Sequence, residues 1–208
     1  MDNQQAYNQW ADTYDTVGNK TRDLEGVALQ HVLSDREFAA VLEIGCGTGK
    51  NTAWLLTKSQ HLIGADFSAD MLHQARKKIQ ADQVEFRQFD VREEWAFGAA
   101  QFDLITCSLV LEHIEDLGFV FQQAHGALQK SGLLYLGELH PFKQYQGSKA
   151  RFDTGTGIFE LDCFVHHVSD FFAAAQNNGF TCVHLNEWFD EDDRATVPRL
   201  LTLVFEKN

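Results

Sequence analysis

The stretch Val41-Leu42-Glu43-Ile44-Gly45-Cys46-Gly47-Thr48-Gly49 decides the fold of this chain. A short apolar run leads directly into three glycines at alternate positions, and this pattern predicts a buried strand that ends in a tight turn. Glycine at such a turn lets a ligand lie directly against the backbone. The spacing is G-x-G-x-G with Glu43 two residues before it, whereas phosphate-binding loops use other glycine spacings. An acid beside a glycine turn favours a ligand that carries positive charge.

Beyond this turn, strand-like and helix-like segments alternate along the chain. Near-continuous apolar strands that alternate with helices predict a parallel sheet covered on both faces, which is an α/β architecture. A short acidic turn joins the final two strands, so we expect them to be antiparallel. Strands are predicted at 41–44, 61–66, 84–89, 102–108, 133–138, 180–189 and 200–205, and helices at 4–15, 22–35, 51–59, 69–80, 116–130 and 170–178.

Single residues refine these boundaries. Gly132 is predicted to end the helix 116–130, and Ser169 is predicted to cap the last helix. Pro141 predicts an extended exit from the fifth strand, and residues 141–166 show no clear helix. The second helix is predicted to turn four apolar residues inward: Leu24, Val27, Ala28 and Val32.

Polar side chains follow four of the predicted strands. They are Asp66, Asp90, Ser108 and Glu138. Ligands of open α/β sheets bind beyond the carboxyl ends of the strands, so these side chains are expected to converge on one edge.

The order of these signals resembles the class I S-adenosylmethionine-dependent methyltransferases. The glycine turn, the acids at the strand ends and the run Asp66-Phe67-Ser68-Ala69-Asp70-Met71-Leu72 carry the resemblance, which covers roughly residues 38 to 140. It implies a Rossmann-like, doubly wound, seven-stranded and mostly parallel sheet whose last strand is inserted in reverse. It also implies S-adenosylmethionine as the cofactor and S-adenosylhomocysteine as the product.

The resemblance also assigns roles to residues around the cofactor. Asp66 would accept the ribose hydroxyls, Phe67 and Met71 would flank the adenine, and Asp90 would face the adenine amino group. The full expected set is Glu43, Gly45, Cys46, Gly47, Gly49, Asp66, Phe67, Met71, Asp90, Val91 and Ser108.

His140 and His113 are the candidate catalytic bases. His140 follows Glu138 at the end of the fifth strand, where the resemblance places the substrate, and a structural hydrogen-bonding role is its alternative. His113 has three open interpretations: proton transfer, simple packing near the cofactor, or metal binding. Some relatives hold a metal through Glu-x-x-Glu-His, but this chain has Leu109 in place of the first acid, so no metal is expected.

The segment 141–152 contains Lys143, Lys149 and Arg151 and no acid. In so acidic a chain this basic island is predicted to lie over the pocket and to bind a carboxylate or phosphate, with Arg151 suited to bidentate pairing. A solvated loop is the alternative. The expected substrate-binding residues are Tyr14, Glu138, Tyr145, Lys149, Arg151 and His166.

Two regions are expected. Residues 1–36 would form a helical lid or cap packed on the same domain, with Tyr7, Trp10 and Tyr14 on one helix face. A core role for this aromatic face is the alternative to closure over the cofactor. Residues 37–208 would form the methyltransferase domain, with a substrate-side insertion at about 141–166.

The composition limits the kinds of partner that this protein is expected to have. The net charge of −13 argues against nucleic acid, because phosphate binding needs a basic surface. No apolar run approaches membrane-spanning length, and the polar first residues lack the basic region of a signal peptide. The four scattered cysteines predict reduced thiols. We therefore expect a cytoplasmic protein without membrane contact, either a monomer or a homodimer.

The sequence thus favours methyl transfer from S-adenosylmethionine to an oxygen or nitrogen of a small, anionic metabolite. Two alternatives use the same cofactor site: non-methyl chemistry such as carboxymethyl transfer, and a non-catalytic partner subunit that only binds the cofactor. A nicotinamide-binding protein is disfavoured by the glycine spacing.

Overall fold

The computed structural model describes residues 2–153 and 157–208. They form a seven-stranded sheet with helices on both faces and a separate two-stranded hairpin. Among these residues, no helix combines the length and the apolarity needed to cross a membrane. The helices are α1 (Asn3–Trp10), α2 (Lys20–Leu33), α3 (Lys50–Leu55), α4 (Ala69–Lys78), α5 (Leu117–Ala127), α6 (Pro141–Tyr145) and α7 (Val168–Asn177).

The strands of the main sheet lie in the order β3-β2-β1-β4-β5-β9-β8. The first five are parallel, and β9 runs antiparallel to both β5 and β8. The strands are β1 (Phe38–Ile44), β2 (Ser59–Asp66), β3 (Val84–Gln88), β4 (Phe102–Ser108), β5 (Leu128–Leu139), β8 (Phe180–Trp188) and β9 (Leu200–Lys207); β6 (Arg151–Asp153) and β7 (Ile158–Glu160) form the small hairpin.

This order confirms the predicted doubly wound sheet with a reversed last strand. The chain leaves β1 toward β2 and β3 on one side and returns to β4 on the other side. The carboxyl ends of β1 and β4 therefore flank a topological switch point, which is where open α/β sheets place their ligands.

Strand β1 lies in the interior of the sheet, between β2 and β4, and both of its faces are apolar. Val41 packs into a cluster with α2 and α3, whereas Leu42 and Ile44 pack into the larger cluster on the opposite face with α5 and α7. All three side chains are almost fully buried. The alternation of side chains along a strand thus ties one helical layer to each face.

The turn after β1 depends on glycine in two different ways. Gly45, Gly47 and Gly49 all have positive φ, at +69°, +53° and +82°. A Cβ on Gly45 would lie 2.2 Å from Val110 Cγ2, and one on Gly49 would lie 2.7 Å from Ile79 Cδ1. A Cβ on Gly47 would meet nothing within 4 Å. Packing excludes side chains at the first and third glycines, whereas the second leaves open space above the turn.

Helix α5 is shorter than predicted. It ends at Ala127 rather than near Lys130, and Leu128 already has extended backbone angles. The pairing of β4 with β5 shifts register between Phe102 and Leu104, and Ser131 has a φ of +58°. Gly132 therefore lies within an irregular start of β5 and does not end the helix.

Two further predictions about helix starts are wrong. His140 has the extended backbone that Pro141 predicts, but Pro141 itself begins α6 where no helix was expected. His140 Nδ1 accepts the Phe142 N–H at 3.2 Å, and the first helical position needs no N–H of its own. Helix α7 begins at Val168, one residue before the predicted cap Ser169. The Asp170 carboxylate accepts the His167 N–H at 2.8 Å and holds this start.

We predict that alanine substitutions in the glycine turn separate packing from backbone strain. Gly47→Ala should lower the free energy of unfolding by about 1–2 kcal/mol, the penalty of a left-handed residue. Gly45→Ala should lower it by several kcal/mol more, because its Cβ must also displace Val110. Urea denaturation of the ligand-free variants measures both. Equal losses in the two variants would contradict this packing role.

Candidate functional site

A cavity opens at the carboxyl ends of β1, β2 and β4, at the switch point of the sheet. It leaves about 730 Å³ between the protein atoms, including its mouth. Eight of the eleven predicted cofactor residues line it: Gly45, Gly47, Asp66, Phe67, Met71, Asp90, Val91 and Ser108.

The other three predicted cofactor residues lie behind the cavity wall. Glu43 is buried beneath the glycine turn, where its Oε2 accepts the Thr52 hydroxyl at 2.5 Å. Cys46 is buried, and Gly49 begins α3. None of them is among the residues that line the cavity. These three residues shape the glycine turn and do not line the cavity.

The Asp66 carboxylate holds the glycine turn and the next turn together. Its Oδ2 accepts the Gly47 N–H at 2.8 Å, and its Oδ1 accepts the Ser68 N–H at 2.8 Å. Burial raises the pKa of Asp66 to about 6, although these backbone donors oppose the shift. The predicted ribose acid thus lies at the cavity with both oxygens already oriented.

Two further buried acids lie beneath the cavity. Burial raises the pKa of Glu43 to about 8, and the charges of Glu25 and Asp66 add to that effect. Glu25, on α2, accepts hydrogen bonds from Ser108 at 2.6 Å and from Asn51 at 2.7 Å, and burial raises its pKa also. This concentration of acids favours a cationic ligand.

Asp90 lies at the cavity but is already paired. Arg92 binds it in a bidentate manner, with Nε–Oδ1 at 2.9 Å and Nη2–Oδ2 at 2.5 Å. The Arg92 guanidinium accordingly holds the pKa of Asp90 below its usual range. Arg92 also lines the cavity. A ligand that uses Asp90 must therefore share it with Arg92 or displace that side chain.

Helix α1 closes one side of the cavity through Tyr7 and Asn3. The Tyr7 hydroxyl lies 3.0 Å from His113 Nε2, and His113 Nδ1 lies 2.9 Å from the Asp162 carbonyl. A carbonyl only accepts, so Nδ1 carries the proton and Nε2 accepts the Tyr7 hydroxyl. Asn3 bonds both backbone groups of Asp162, at 2.9 and 3.0 Å.

The segment after α1 is tied to the same turn. Asp15 accepts the Thr48 hydroxyl at 2.7 Å and pairs with Lys78 of α4. Arg22 lies 4.5 Å from the centre of the Tyr14 ring and donates to the Tyr14 and Val17 carbonyls. The N-terminal region therefore contacts the cavity at both ends.

A second, larger cavity adjoins the first and shares Tyr7, Tyr14 and Leu109 with it. Leu109 has a φ of +57°, an uncommon conformation for a residue with a side chain. The predicted substrate residues Lys149 and Arg151 line this second cavity, as does Tyr14. The expected insertion supplies its outer wall, although residues 154–156 of that segment lie outside the described residues.

Four predicted site residues have other positions, and those assignments require correction. His140 is buried, with Nε2 3.1 Å from Glu187 and Nδ1 used to cap α6, so neither nitrogen faces a cavity. Glu138 accepts the Val110 and Leu111 N–H groups at 3.2 and 3.0 Å. It therefore supports the loop after β4.

The remaining two corrections concern the segment after the insertion. His166 Nε2 donates to the carbonyls of Leu111 and Ile114, at 3.1 and 2.7 Å, and its buried ring fixes the turn around His113. Tyr145 is exposed, and its hydroxyl lies 2.6 Å from His167 Nδ1. Neither residue lines either of the two cavities described above.

Sequence reasoning missed several residues at the site. Glu25 gave no signal, because a glutamate on a helix usually faces solvent. Arg92 follows Asp90 closely enough that a local pair was foreseeable. Glu112 and Leu109 lie in the run after β4, and the sequence points to them only through the incomplete metal pattern at His113.

Comparisons with known proteins agree with this geometry. Residues 42–136 match the family model described as a methyltransferase domain. An uncharacterised methyltransferase of Emericella nidulans is 25% identical over 88% of this chain and 77% of its own. A malonyl-[acyl-carrier protein] O-methyltransferase of Legionella pneumophila is 30% identical over 68% of this chain and 51% of its own. This chain thus spans about half the length of that second relative.

Solved structures show the same fold. The structure described as a DhpI–SAH complex superposes with a TM-score of 0.77 at 21% identity, covering 98% of this chain and 94% of that one. Together with the family match, this likeness confirms the resemblance found in the sequence. Residues 42–136 therefore belong to a methyltransferase-domain family, and the rest of the chain shares the fold of the solved methyltransferase structures. The DhpI complex contains SAH, the product form of the predicted cofactor.

The raised pKa of Glu43 predicts a pH dependence of stability in the ligand-free protein. Its pKa rises from an ordinary 4.5 to about 8 in the native state. Between these values the native state binds more protons than the unfolded state, so the free energy of unfolding falls as pH rises from about 5 to about 8 and levels off above the native pKa. Glu138, with a pKa also raised to about 8, contributes in the same direction.

We expect Glu43→Gln to reduce this dependence by about 1 kcal/mol per pH unit near neutrality. Urea denaturation at several pH values measures the slope. Glu115→Gln, on an exposed residue after β4, is the control and should leave the slope unchanged. An unchanged slope in Glu43→Gln would contradict the buried, protonated state.

Proposed function

We propose that this protein transfers the methyl group of S-adenosylmethionine to an oxygen or nitrogen of a small anionic metabolite. The observation that carries the proposal is Asp66, whose carboxylate is oriented by Gly47 and Ser68 beside an open glycine turn. Gly47 leaves room where a Cβ would otherwise stand, so a ligand can approach the backbone there. These features fit a nucleoside-containing cofactor.

The chain's own residues would hold the cofactor in defined ways. Asp66 would accept the ribose hydroxyls, Phe67 and Met71 would flank the adenine, and Asp90 would receive the adenine amino group after release from Arg92. When bound, S-adenosylmethionine supplies an electrophilic methyl group whose carbon–sulfur bond electrons leave with sulfur. The positive charge of the sulfonium suits Asp66, and it would also favour the ionised form of Glu43.

His113 is proposed to take up a proton when the methyl acceptor must lose one. Its Nε2 is the unprotonated nitrogen, and the Tyr7 hydroxyl occupies that acceptor. An acceptor that donates to the Tyr7 oxygen could pass its proton through Tyr7 to His113 Nε2. The carbonyl of Asp162 would keep the ring oriented through Nδ1. Such proton transfer contributes roughly 10²–10⁴-fold to rate where it is needed.

The second cavity is proposed as the substrate site. Lys20, Lys149, Arg151 and Arg199 line it, whereas Glu112 is the acid among its described lining residues. This local positive charge in a chain of net charge −13 favours an anion. The name of the Legionella pneumophila relative, a malonyl-[acyl-carrier protein] O-methyltransferase, also points to a carboxylate. A cytoplasmic location and a monomeric or homodimeric state remain part of the proposal.

Calorimetry with S-adenosylmethionine and S-adenosylhomocysteine tests the cofactor site. We expect Asp66→Ala to weaken both affinities at least about tenfold, because it removes a carboxylate that both ligands use. Lys143→Ala is the control and should leave both nearly intact, since Lys143 lies outside the cavity and faces Asp190 at 4.0 Å. A larger loss in Lys143→Ala, or no binding by the wild type, would refute the proposed cofactor site.

Tyr7→Phe tests the proposed closure by α1. Loss of the hydroxyl removes the hydrogen bond to His113, so we expect faster amide exchange in α1 while the fold is retained. Tyr145→Phe is the matched control, because its hydroxyl bonds His167 at the exposed surface. S-adenosylhomocysteine should slow exchange in α1 of the wild type. Unaltered exchange in both experiments would show that α1 is a fixed part of the core.

A further inference from the structure

The floor of the second cavity contains a carboxylate that the proposed methyl transfer does not use. Glu112 belongs to the turn after β4, next to His113, and is 7% exposed. Its Oε2 is buried and has no hydrogen-bond partner within normal distance among the residues that the structure describes, although Gln144 and Cys163 face the same carboxyl group. Buried carboxylate oxygens are normally satisfied, so one without a partner at a cavity wall points to a ligand that donates.

The rim of the same cavity has the opposite character. Lys149 and Arg151 are largely exposed there, as is Lys20 at the start of α2. Lys149 faces Glu160 at 3.9 Å, but both side chains are more than half exposed, so that pair competes weakly with a ligand. Arg199 differs, because Asp190 binds its guanidinium through two N–H groups. The available positive charge thus lies at the outer wall.

The second cavity, which contains both Glu112 and the basic rim, adjoins the cofactor cavity. Tyr7 and Leu109 line both cavities, and Glu112 adjoins His113, which lines the first. A molecule held at Glu112 therefore lies beside the shared wall, where a methyl acceptor must lie.

We propose that the second cavity binds a small molecule with two recognition groups: an anionic group held by Lys149 and Arg151, and a hydroxyl or amino group that donates to Glu112. Amino acids and hydroxy acids have this chemistry. The proposal rests on the proposed function, because it assigns the substrate class of that same reaction. It makes Glu112 a specificity-determining residue of the substrate site.

The arrangement also disfavours molecules that carry only one of these groups. A simple carboxylate would leave Glu112 Oε2 without a donor in a buried place. A simple amine would satisfy Glu112 but would meet the positive charge of the rim. The unpaired Glu112 oxygen in the first case and the charge repulsion in the second both disfavour binding. The cavity should therefore select the molecule that carries both groups.

Binding to the full-length protein saturated with S-adenosylhomocysteine tests the proposal. The probes are the proteinogenic amino acids and a set of aliphatic and aromatic hydroxy acids, each paired with the carboxylate of the same skeleton that lacks the hydroxyl or amino group. Thermal shift selects binders, and calorimetry measures their affinities. We expect the best binders to carry both groups and to bind at least about tenfold more tightly than their paired carboxylates.

Variants then assign each group to a residue. Glu112→Gln should weaken the bifunctional binder at least about tenfold and leave the paired carboxylate unchanged, because only the former donates to the carboxylate. Arg151→Gln should weaken both to a similar degree. Glu115→Gln, on the same segment but exposed, should change neither.

Affinity for S-adenosylhomocysteine separates this proposal from the proposed function. If the wild type and Glu112→Gln bind S-adenosylhomocysteine equally, the cofactor site is intact in both. The substrate-binding data then test the role of Glu112. Equal binding of donors by the wild type and Glu112→Gln would overturn the proposal, as would a panel that yields no ligand. Failure of the wild type to bind the cofactor product would instead refute the proposed function.

Discussion

The carboxylate of Asp66 is the contact on which the rest of the site depends. It bonds one N–H from the glycine turn after β1 and one from the turn after β2, so a single side chain fixes two neighbouring loops. Backbone donors of this kind stabilise the charged form, whereas burial opposes it. The outcome is an acid that is oriented but only partly neutralised. A polar, positively charged nucleoside is the kind of ligand that completes such a site.

The charge around Asp66 is costly in the ligand-free state. Glu43 and Glu25 lie beneath the same turn, and burial raises the pKa of both. Hydrogen bonds from Thr52 and Ser108 only partly compensate. A bound cation would therefore lower the electrostatic cost of these buried acids. The ligand-free protein is less stable because of them.

The parts of the molecule that sequence predicted well are those set by local chemistry. Three glycines at alternate positions fixed the turn, because only glycine suits a positive φ with Val110 or Ile79 in contact. Apolar runs identified the strands, and the reversed β9 followed from the family resemblance. The presence of Asp66 and Ser108 at the cavity followed from the rule that parallel strands end at one edge.

The predictions that failed concern residues whose contacts are distant in sequence. Val27 was expected inside, yet it is 60% exposed, and α2 instead turns Arg22 and Glu25 inward. Apolar periodicity cannot anticipate this, because these charges are satisfied by the Tyr14 carbonyl and by Ser108. The prediction that His140 is a catalytic base failed for a similar reason. Its partner Glu187 lies on the edge strand β8, which no local sequence pattern connects to β5.

In the proposed reaction, the acidic composition and the basic island serve different parts of the same path. The buried acids concentrate around the glycine turn and suit a positively charged donor, whereas the cations line the adjoining cavity and suit an anionic acceptor. Tyr7 and Leu109 separate these environments, and Tyr7 also holds α1 against His113. Any movement of α1 therefore alters both cavities together. Binding of the two ligands should then be coupled through α1, since each stabilises the position of that helix in which the other is also enclosed.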